Sequence, residues 1–217
     1  MMITAGLIEA FLKCPTKCYL RSLGEVGTES AYANWARAQN ESYRNDGIKR
    51  LTEGAAPDEC IIDSPGTTNL KATKWRLTMD CVVRVQNLES SLHAVERIAS
   101  DGRGKPAQLI PIRFIFRNKL SLDDKRLLAF DALVLSERLG RAVGRGKIIH
   151  GEGQVKLEVK TSALTSEVRK VTGKIAALLS SHSPPDLVLN RHCVECGFGP
   201  GVGKRPWRKT TSVFCAG

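Results

Sequence analysis

Residues 108–140, QLIPIRFIFRNKLSLDDKRLLAFDALVLSERLG, form the stretch that decides the fold. The first part is rich in β-branched and aromatic side chains, a composition that predicts a strand over 108–116. Residues 121–124 (SLDD) then have the form of a capping box, and apolar residues recur at helical spacing as far as Gly140. The stretch therefore predicts one strand followed by one well-capped amphipathic helix.

Further elements are predicted on both sides of this unit. They are, in chain order, helices over 4–20 and 31–51, strands over 75–85 and 90–98, strands over 147–150 and 155–159, and a helix over 165–181. This order is typical of an α/β or α+β domain. We therefore expect an α/β (α+β) fold in one domain over 1–198, with a helical N-terminal arm over 1–55, a core over 70–190 and a cysteine knuckle over 190–198.

The charge balance indicates a polyanionic partner. The 217 residues include 33 Lys and Arg against 22 Asp and Glu, a net charge of +11. This surplus favours nucleic acid, above all DNA, although a solvated basic surface has the same composition. The side chains expected to follow a nucleic-acid backbone share the predicted second helix and are Arg37, Arg44, Lys49 and Arg50. A solvated helical face is the alternative for them.

The sequence contains no signal for a membrane or for secretion. No apolar run approaches the ~18 residues that a membrane-spanning helix needs. The N-terminal segment over 1–12 carries Glu9 and lacks the basic region of a signal peptide. We therefore expect a cytoplasmic protein with no membrane partner.

Cysteine spacing suggests a metal site. Seven cysteines, an odd number, argue against a disulfide framework in a chain without a secretion signal. Cys193 and Cys196 form a C-x2-C pair, and Cys14 and Cys18 form a C-x3-C pair on the predicted first helix. Four sulfurs are the usual number for a structural metal ion, whereas buried hydrophobic packing is the alternative for the N-terminal pair. The other cysteines are single and predict no site: Cys60, Cys81 and Cys215.

The two ends of the chain carry a family resemblance. ITAGLIEAFLKCPTKCYL, residues 3–20, and PPDLVLNRHCVECGF, residues 184–198, resemble the two ends of RecB-like nucleases of the CRISPR-associated Cas-four type, which have a PD-(D/E)xK core. The resemblance implies that Cys14, Cys193 and Cys196 hold a structural 4Fe-4S cluster. Such a cluster would clamp the two ends of the chain together.

The resemblance also implies a metal-dependent active site. RecB-like nucleases cleave phosphodiester bonds with a divalent metal ion held by an Asp and by the Glu of an E-x-K strand. Asp80 and Glu96 stand sixteen residues apart across one predicted hairpin and match that pair in order and spacing. They are therefore the expected catalytic residues and the expected ligands of Mg²⁺ or Mn²⁺. Ion pairs with Arg84 or Arg97 are the alternative.

The chain departs from the family pattern at two functional positions. The catalytic lysine is expected at position 98, which is Ile98, so we expect weak or absent cleavage. Lys119 or Arg113 from the neighbouring strand is the candidate substitute. The third C-terminal cysteine is expected at position 202, which is Val202. Cys18 is then either a spare thiol or the fourth ligand of a zinc site.

A second E-x-K sequence competes with this assignment. It consists of Glu158 and Lys160, and its best acidic partner along the chain is Asp131. Asp131 falls on a predicted helix rather than on a strand. We therefore rank this constellation below Asp80 and Glu96.

The function implied by the resemblance is DNA end processing or exonucleolytic cleavage. Its setting would be repair, recombination or CRISPR adaptation, with proteins of those processes as partners. A protein that binds nucleic acid on the same fold but has lost the chemistry is the first alternative. A four-cysteine zinc protein with an unrelated core is the second.

The C-terminal segment over 199–217 (GPGVGKRPWRKTTSVFCAG) changes character abruptly after the cysteine knuckle. It contains four basic residues and no acidic residue. We expect an aberrant or disordered basic tail and interpret it as the product of a one-base loss just after codon 198. The restored frame permits a cysteine at position 202, followed by acidic, helix-forming residues. A native basic tail that contacts nucleic acid is the alternative.

Overall fold

The computed structural model describes residues 1–28, 30–62, 75–99, 106–181, 183–188, 190, 192–193 and 196–198. The basic tail over 199–217, and with it the expected frameshift, lies outside the described residues. The helices and strands of the described part are β1 (Ile3–Thr4), α1 (Ala5–Lys13), α2 (Pro15–Ser22), α3 (Ala31–Glu53), β2 (Cys60–Ile62), β3 (Leu77–Val85), β4 (Leu88–Ile98), β5 (Gln108–Ile115), α4 (Leu122–Leu139), β6 (Gly146–His150), β7 (Val155–Val159) and α5 (Thr165–Ser180).

The described strands form one mixed sheet in the order β2-β3-β4-β5-β6-β7, with β1 paired to β4. β3, β4 and β5 make an antiparallel meander, and α4 then crosses over so that β6 lies parallel to β5. β7 returns antiparallel to β6. The expected mixed α/β character is therefore confirmed. No helix in the described part of the chain has the length and apolar content needed to cross a membrane.

α4 is the central helix of the fold, and its ends are set by the predicted signals. The Ser121 hydroxyl accepts a hydrogen bond from the Asp124 N–H at 3.2 Å, and the Asp124 carboxylate accepts one from the Ser121 N–H at 2.7 Å. This reciprocal capping box satisfies backbone donors that the first turn leaves open. At the other end, Gly140 adopts the left-handed conformation with φ 67°, which ends the helix.

Each face of the sheet has its own hydrophobic core. α1, α4 and α5 cover one face, named here the α4 face, where Leu92 and Phe130 are buried. α3 covers the other, named the α3 face, where Tyr43, Met79 and Phe114 pack together. The sheet is thus the middle of three layers.

The prediction of a single first helix over 4–20 is wrong, because the helical conformation is interrupted at Cys14. Cys14 is extended, with φ −166° and ψ 121°, and Pro15 begins α2. Proline disfavours a helical conformation in the residue before it and is well placed in the first turn of a helix. Cys14 therefore lies at the junction of two helices, and Cys14 and Cys18 do not share one continuous helical face.

β3 and β4 change the face to which they contribute side chains at one position. On one side of it, Met79 and Ala94 pair and join the α3-face core; on the other, Cys81 and Leu92 pair and join the α4-face core. Because residues two apart on a regular strand point to the same face, the switch needs an irregular residue. Asp80 supplies it with φ 54°, in the left-handed region that Asp enters more readily than most residues.

His93 lies opposite Asp80 and marks the point where β4 leaves β5. The ladder between β4 and β5 ends just before it. Its ring Nδ1 accepts a hydrogen bond from the Phe114 N–H at 3.1 Å, in place of a backbone carbonyl. Beyond this point β1 pairs with β4. The hairpin of β3 and β4 therefore contributes side chains to the cores on both faces of the sheet.

Candidate functional site

The two ends of the described chain meet at the junction of α1 and α2. The Asn190 side-chain amide donates to the Lys13 carbonyl at 3.1 Å, across 177 positions of sequence. The Thr28 N–H and hydroxyl both donate to the Gly197 carbonyl, at 2.8 and 3.0 Å. Lys13 directly precedes Cys14. The C-terminal cysteine turn is therefore held beside the N-terminal cysteine segment.

Backbone hydrogen bonds shape the C-terminal cysteine turn. The Cys193 N–H donates to the Asn190 carbonyl at 2.9 Å, and the Cys196 N–H donates to the Cys193 carbonyl at 3.1 Å. The Asn190 N–H also donates to the Cys193 sulfur at 3.2 Å. N–H groups directed at a sulfur stabilise its thiolate form, which is the form that binds metal. The turn is therefore suited in its chemistry to thiolate ligation.

The two N-terminal thiols have different surroundings. Cys18 is fully buried and belongs to the α4-face core. Burial raises the pKa of the Cys18 thiol to about 11, partly offset by the positive charge of Arg21. Cys14 is also buried, but it lies outside that core, at the helix junction next to the contact with the C-terminal turn. Cys18 thus has the environment of a core residue, and Cys14 is the better placed of the two for a shared site.

Basic side chains surround the same junction. Burial lowers the pKa of the Lys17 ammonium, and the charges of Arg21 and Lys13 lower it further, whereas Cys196 acts in the opposite direction. Lys17 is therefore close enough to Cys196 to interact electrostatically. Positive charge of this kind favours thiolates and a negatively charged metal–thiolate group.

The donor set is of the right kind for a thiolate-bound metal but is not assembled in full. Among the residues that the structure describes, no group of three or more His, Cys, Asp or Glu side chains is arranged to hold a metal ion. Cys193 and Cys196 lie on the C-terminal turn, and Cys14 directly follows Lys13, whose carbonyl Asn190 contacts. A four-thiolate site needs one more ligand than these three.

Asp80 and Glu96 lie on the same face of the sheet but are held apart. The Asp80 carboxylate contacts the Arg44 guanidinium of α3. The Glu96 carboxylate accepts a hydrogen bond from Lys147 Nζ of β6 at 2.6 Å. Glu96 pairs across the ladder with Leu77, three residues from Asp80 and so about 10 Å away along the strand. Each carboxylate is therefore neutralised by its own cation.

The two arginines that the sequence suggested as alternative partners of Asp80 and Glu96 make other contacts. Arg84 forms its ion pair with Glu89, at 2.5 Å. Arg97 lies over the ring of Trp75, with 6.0 Å between its guanidinium carbon and the ring centroid. The observed cations Arg44 and Lys147 come from α3 and β6, far from the hairpin in sequence.

The competing E-x-K constellation is divided between the two faces of the sheet. Glu158 lies directly across the ladder from Lys147. Lys147 is two residues before Ile149, which belongs to the α3-face core, so Lys147 and Glu158 lie on that face. Asp131 lies on α4, on the other face, where Arg113 and the Ser90 hydroxyl both donate to its carboxylate. Glu158 and Asp131 therefore do not form one site.

Lys147 is the lysine beside Glu96, and sequence reasoning missed it. Arg113, one candidate substitute for the absent family lysine, is bound to Asp131 on the opposite face. Lys119, the other, lies exposed on the loop after β5. Lys147 instead bonds the Glu96 carboxylate through Nζ, and its backbone position on β6 pairs with that of Glu158 on β7. Lys147 lies 51 residues after Glu96 along the chain, so no local sequence pattern links the two residues.

His93 is a structural histidine at this site. Burial lowers the pKa of His93 well below its ordinary value, and the charges of Arg113 and Arg44 lower it further. The ring is therefore neutral at physiological pH and accepts the Phe114 N–H. It also stacks on the Phe114 ring, with 6.2 Å between the ring centroids.

The expected nucleic-acid-binding residues of α3 are divided by their surroundings. Arg37, Lys49 and Arg50 are exposed. Arg44 is half-buried against Asp80. The outer side of α3 thus presents basic groups to solvent, and Arg44 instead joins the helix to the sheet.

No protein-family model matches the chain, and no curated protein matches it significantly.

Proposed function

We propose that this protein binds nucleic acid on a nuclease-type core of the PD-(D/E)xK kind, and that a cysteine-bound metal group joins its chain ends. The contact between Asn190 and Lys13 supports the proposal, because it holds the residue before Cys14 against the C-terminal cysteine turn. The resemblance of both ends to RecB-like nucleases implies such a meeting. The net charge of +11 supports DNA or RNA as the partner.

Cleavage is weak or absent in this proposal. Asp80 and Glu96 are each paired with a cation, Arg44 and Lys147, and they are separated along the hairpin. A divalent metal ion would have to displace both cations and draw the two carboxylates together. Ile98 also leaves the strand without the family's lysine.

Binding to single-stranded DNA is expected to weaken when Lys49 and Arg50 are both changed to alanine. The logarithm of the binding constant falls linearly with the logarithm of the salt concentration. Removal of one phosphate-binding cation makes this slope shallower by about 0.7 for a single strand, so the double change makes it shallower by roughly 1.4. Fluorescence anisotropy with a labelled oligonucleotide at several salt concentrations measures this slope. The matched control changes Lys170 and Lys174, two exposed residues of α5 on the opposite side of the sheet, and leaves the slope unchanged. Equal slopes in the two double variants contradict the assigned surface.

A metal-dependent nuclease is the second candidate, and the position of Lys147 favours it. This lysine bonds the Glu96 carboxylate and so supplies beside it the residue type that position 98 lacks. Incubation of the same oligonucleotide with Mg²⁺ or Mn²⁺ separates the candidates. Intact DNA supports binding alone, whereas cleavage that Glu96→Gln abolishes supports the nuclease.

Metal retention is expected to depend on cysteines from both ends of the chain. Cys14→Ser and Cys193→Ser should each remove most of the bound metal, because each takes one thiolate from a site with few ligands. Metal analysis and visible absorbance of anaerobically purified protein measure the loss and distinguish iron–sulfur from zinc. Cys60→Ser, a partly buried cysteine on β2, is the control and keeps the wild-type metal content. A wild-type protein without metal, or a Cys14→Ser protein with full metal, contradicts the joined-ends site.

A further inference from the structure

A row of four aromatic rings crosses from α3 to the end of β5. Tyr32 and Trp35 have ring centroids 5.7 Å apart, Trp35 and Phe116 are 6.4 Å apart, and Phe116 and Tyr43 are 5.9 Å apart. The last two contacts are edge-to-face, a favourable arrangement for aromatic pairs. We name this set the aromatic row.

One end of the aromatic row is anchored in the fold. The Tyr43 hydroxyl donates to the Gly151 carbonyl at 2.8 Å, and the Tyr43 side chain belongs to the α3-face core. The Phe116 N–H donates to the Asn40 side-chain oxygen at 3.1 Å. These bonds fix the inner rings, so the outer rings rest on a base with defined geometry.

The other end of the aromatic row is open to solvent. Tyr32 is 67% exposed and Trp35 is 50% exposed. The buried residues of α3 are Tyr43 and Gly47, both in its second half. Tyr32 and Trp35 therefore contribute little to the core, and packing within the described part of the chain does not explain why a Trp and a Tyr occupy these positions.

Basic side chains lie beside the aromatic row. Phe116 is followed directly by Arg117, and Lys119 is exposed on the same loop. Arg117 pairs with Asp124 through one nitrogen at 2.6 Å and keeps 60% of its side chain exposed. Exposed rings flanked by cationic groups are the combination that binds single-stranded nucleic acid, because bases stack on the rings and phosphates meet the charges.

We propose that the aromatic row is a base-stacking platform for single-stranded nucleic acid, with Trp35 and Tyr32 contacting bases and Lys119 and Arg117 contacting phosphates. This inference rests on the proposed nucleic-acid binding and specifies its substrate class. In a duplex both faces of each base are covered by neighbours, so the platform accepts single strands in preference to double strands. Stacking is possible with every base, so little sequence preference is expected.

Trp35→Leu is the variant that tests the platform. Leucine keeps an apolar side chain but has no ring, so the Kd for a dT oligonucleotide should rise roughly 5- to 150-fold. Trp35→Phe retains a ring and should stay close to wild type. Thermal unfolding followed by circular dichroism checks that both variants fold; if Trp35→Leu does not fold, the more exposed Tyr32→Leu replaces it with the same expected direction.

The outcomes separate this inference from the proposed function. Wild-type protein that fails to bind the dT oligonucleotide overturns both. Wild-type protein that binds, with Trp35→Leu binding equally well, overturns the platform alone. The molecular mass of the wild-type protein in solution could instead rise with protein concentration, while that of Trp35→Leu stays at the monomer value and its oligonucleotide affinity is unchanged. That result assigns the aromatic row to contact with a second copy of the chain and also overturns the platform.

Discussion

Replacing Asp131 with alanine is expected to lower the free energy of unfolding by about 3–5 kcal/mol. Asp131 is 1% exposed, and its partner Arg113 is 11% exposed, so the pair lies between α4 and the sheet. Although burial lowers the pKa of the Arg113 guanidinium, the Asp131 carboxylate outweighs this effect and the pKa is raised. Removing the carboxylate leaves a buried positive charge without its bidentate partner, and leaves the Ser90 hydroxyl without its acceptor.

The control for Asp131 lies on the same helix. Glu137 pairs with Arg169 at the surface, and its replacement by alanine is expected to cost less than about 1 kcal/mol. Urea unfolding followed by circular dichroism compares the two variants. A double change of Arg113 to Met and Asp131 to Leu should recover part of the loss, because it removes both charges and keeps the volume. Equal losses in the Asp131 and Glu137 variants would show that the buried pair contributes no more than a surface pair.

Replacing Gly47 with alanine is expected to lower the free energy of unfolding by about 1–3 kcal/mol. Gly47 lies where α3 packs closest to the sheet, and a Cβ atom there would overlap the ring of Phe114. That ring has little room to move, because it is buried and stacks on His93 with an angle of 2° between the planes. α3 would have to lift from the sheet, which would also disturb the contact between Arg44 and Asp80.

Gly173 provides the matched control, since it lies inside α5 with no atom close to the position of an added Cβ. Alanine there is expected to raise the free energy of unfolding by about 0.5–1 kcal/mol, because alanine is the better helix former. The two substitutions are chemically identical, so opposite signs in urea unfolding would isolate the effect of packing. Two stabilising changes would mean that α3 is not held closely against the sheet.

Local signals explain the parts of the fold that sequence predicted well. The capping box at Ser121 and the glycine at 140 act within a few residues, and both are present as predicted. Pro15 is an equally local signal, and it separates α1 from α2. The break between these helices was therefore predictable from the sequence, because the effect of a proline on the preceding residue needs no tertiary contact.

The hairpin register shows a second signal that was present in the sequence. Val85 and Leu88 pair on either side of the two-residue turn, and counting outward from them puts His93, not Glu96, opposite Asp80. The change of face at Asp80 was not predictable, because it depends on which strand pairs with each part of β4. β5 pairs with the second half of β4, and β1 pairs with its beginning. The cation beside Glu96 was hidden for a similar reason, since Lys147 reaches it through a crossover.

The cysteine site at the chain ends stays a prediction, and the structure bears only on the approach of the two ends to each other. The C-x2-C pair and the Cys14 segment suggested a shared site, and Asn190 does bind the carbonyl next to Cys14. The different surroundings of the N-terminal thiols were not predictable, because the burial of Cys18 follows from the packing of α1, α2 and α5. Spacing alone treats Cys14 and Cys18 as equivalent.

The contact between Lys13 and Asn190 also has a consequence for biosynthesis. A ribosome that adds 5–20 residues per second needs about 10–35 s to travel the 177 positions between them. During that interval the junction of α1 and α2 has been synthesised but the segment that contacts it has not, so the hydrogen bond between Asn190 and Lys13 cannot form. This contact therefore forms only at the end of translation or after it, and the proposed metal site, which would take thiolates from both ends of the chain, would be completed no earlier.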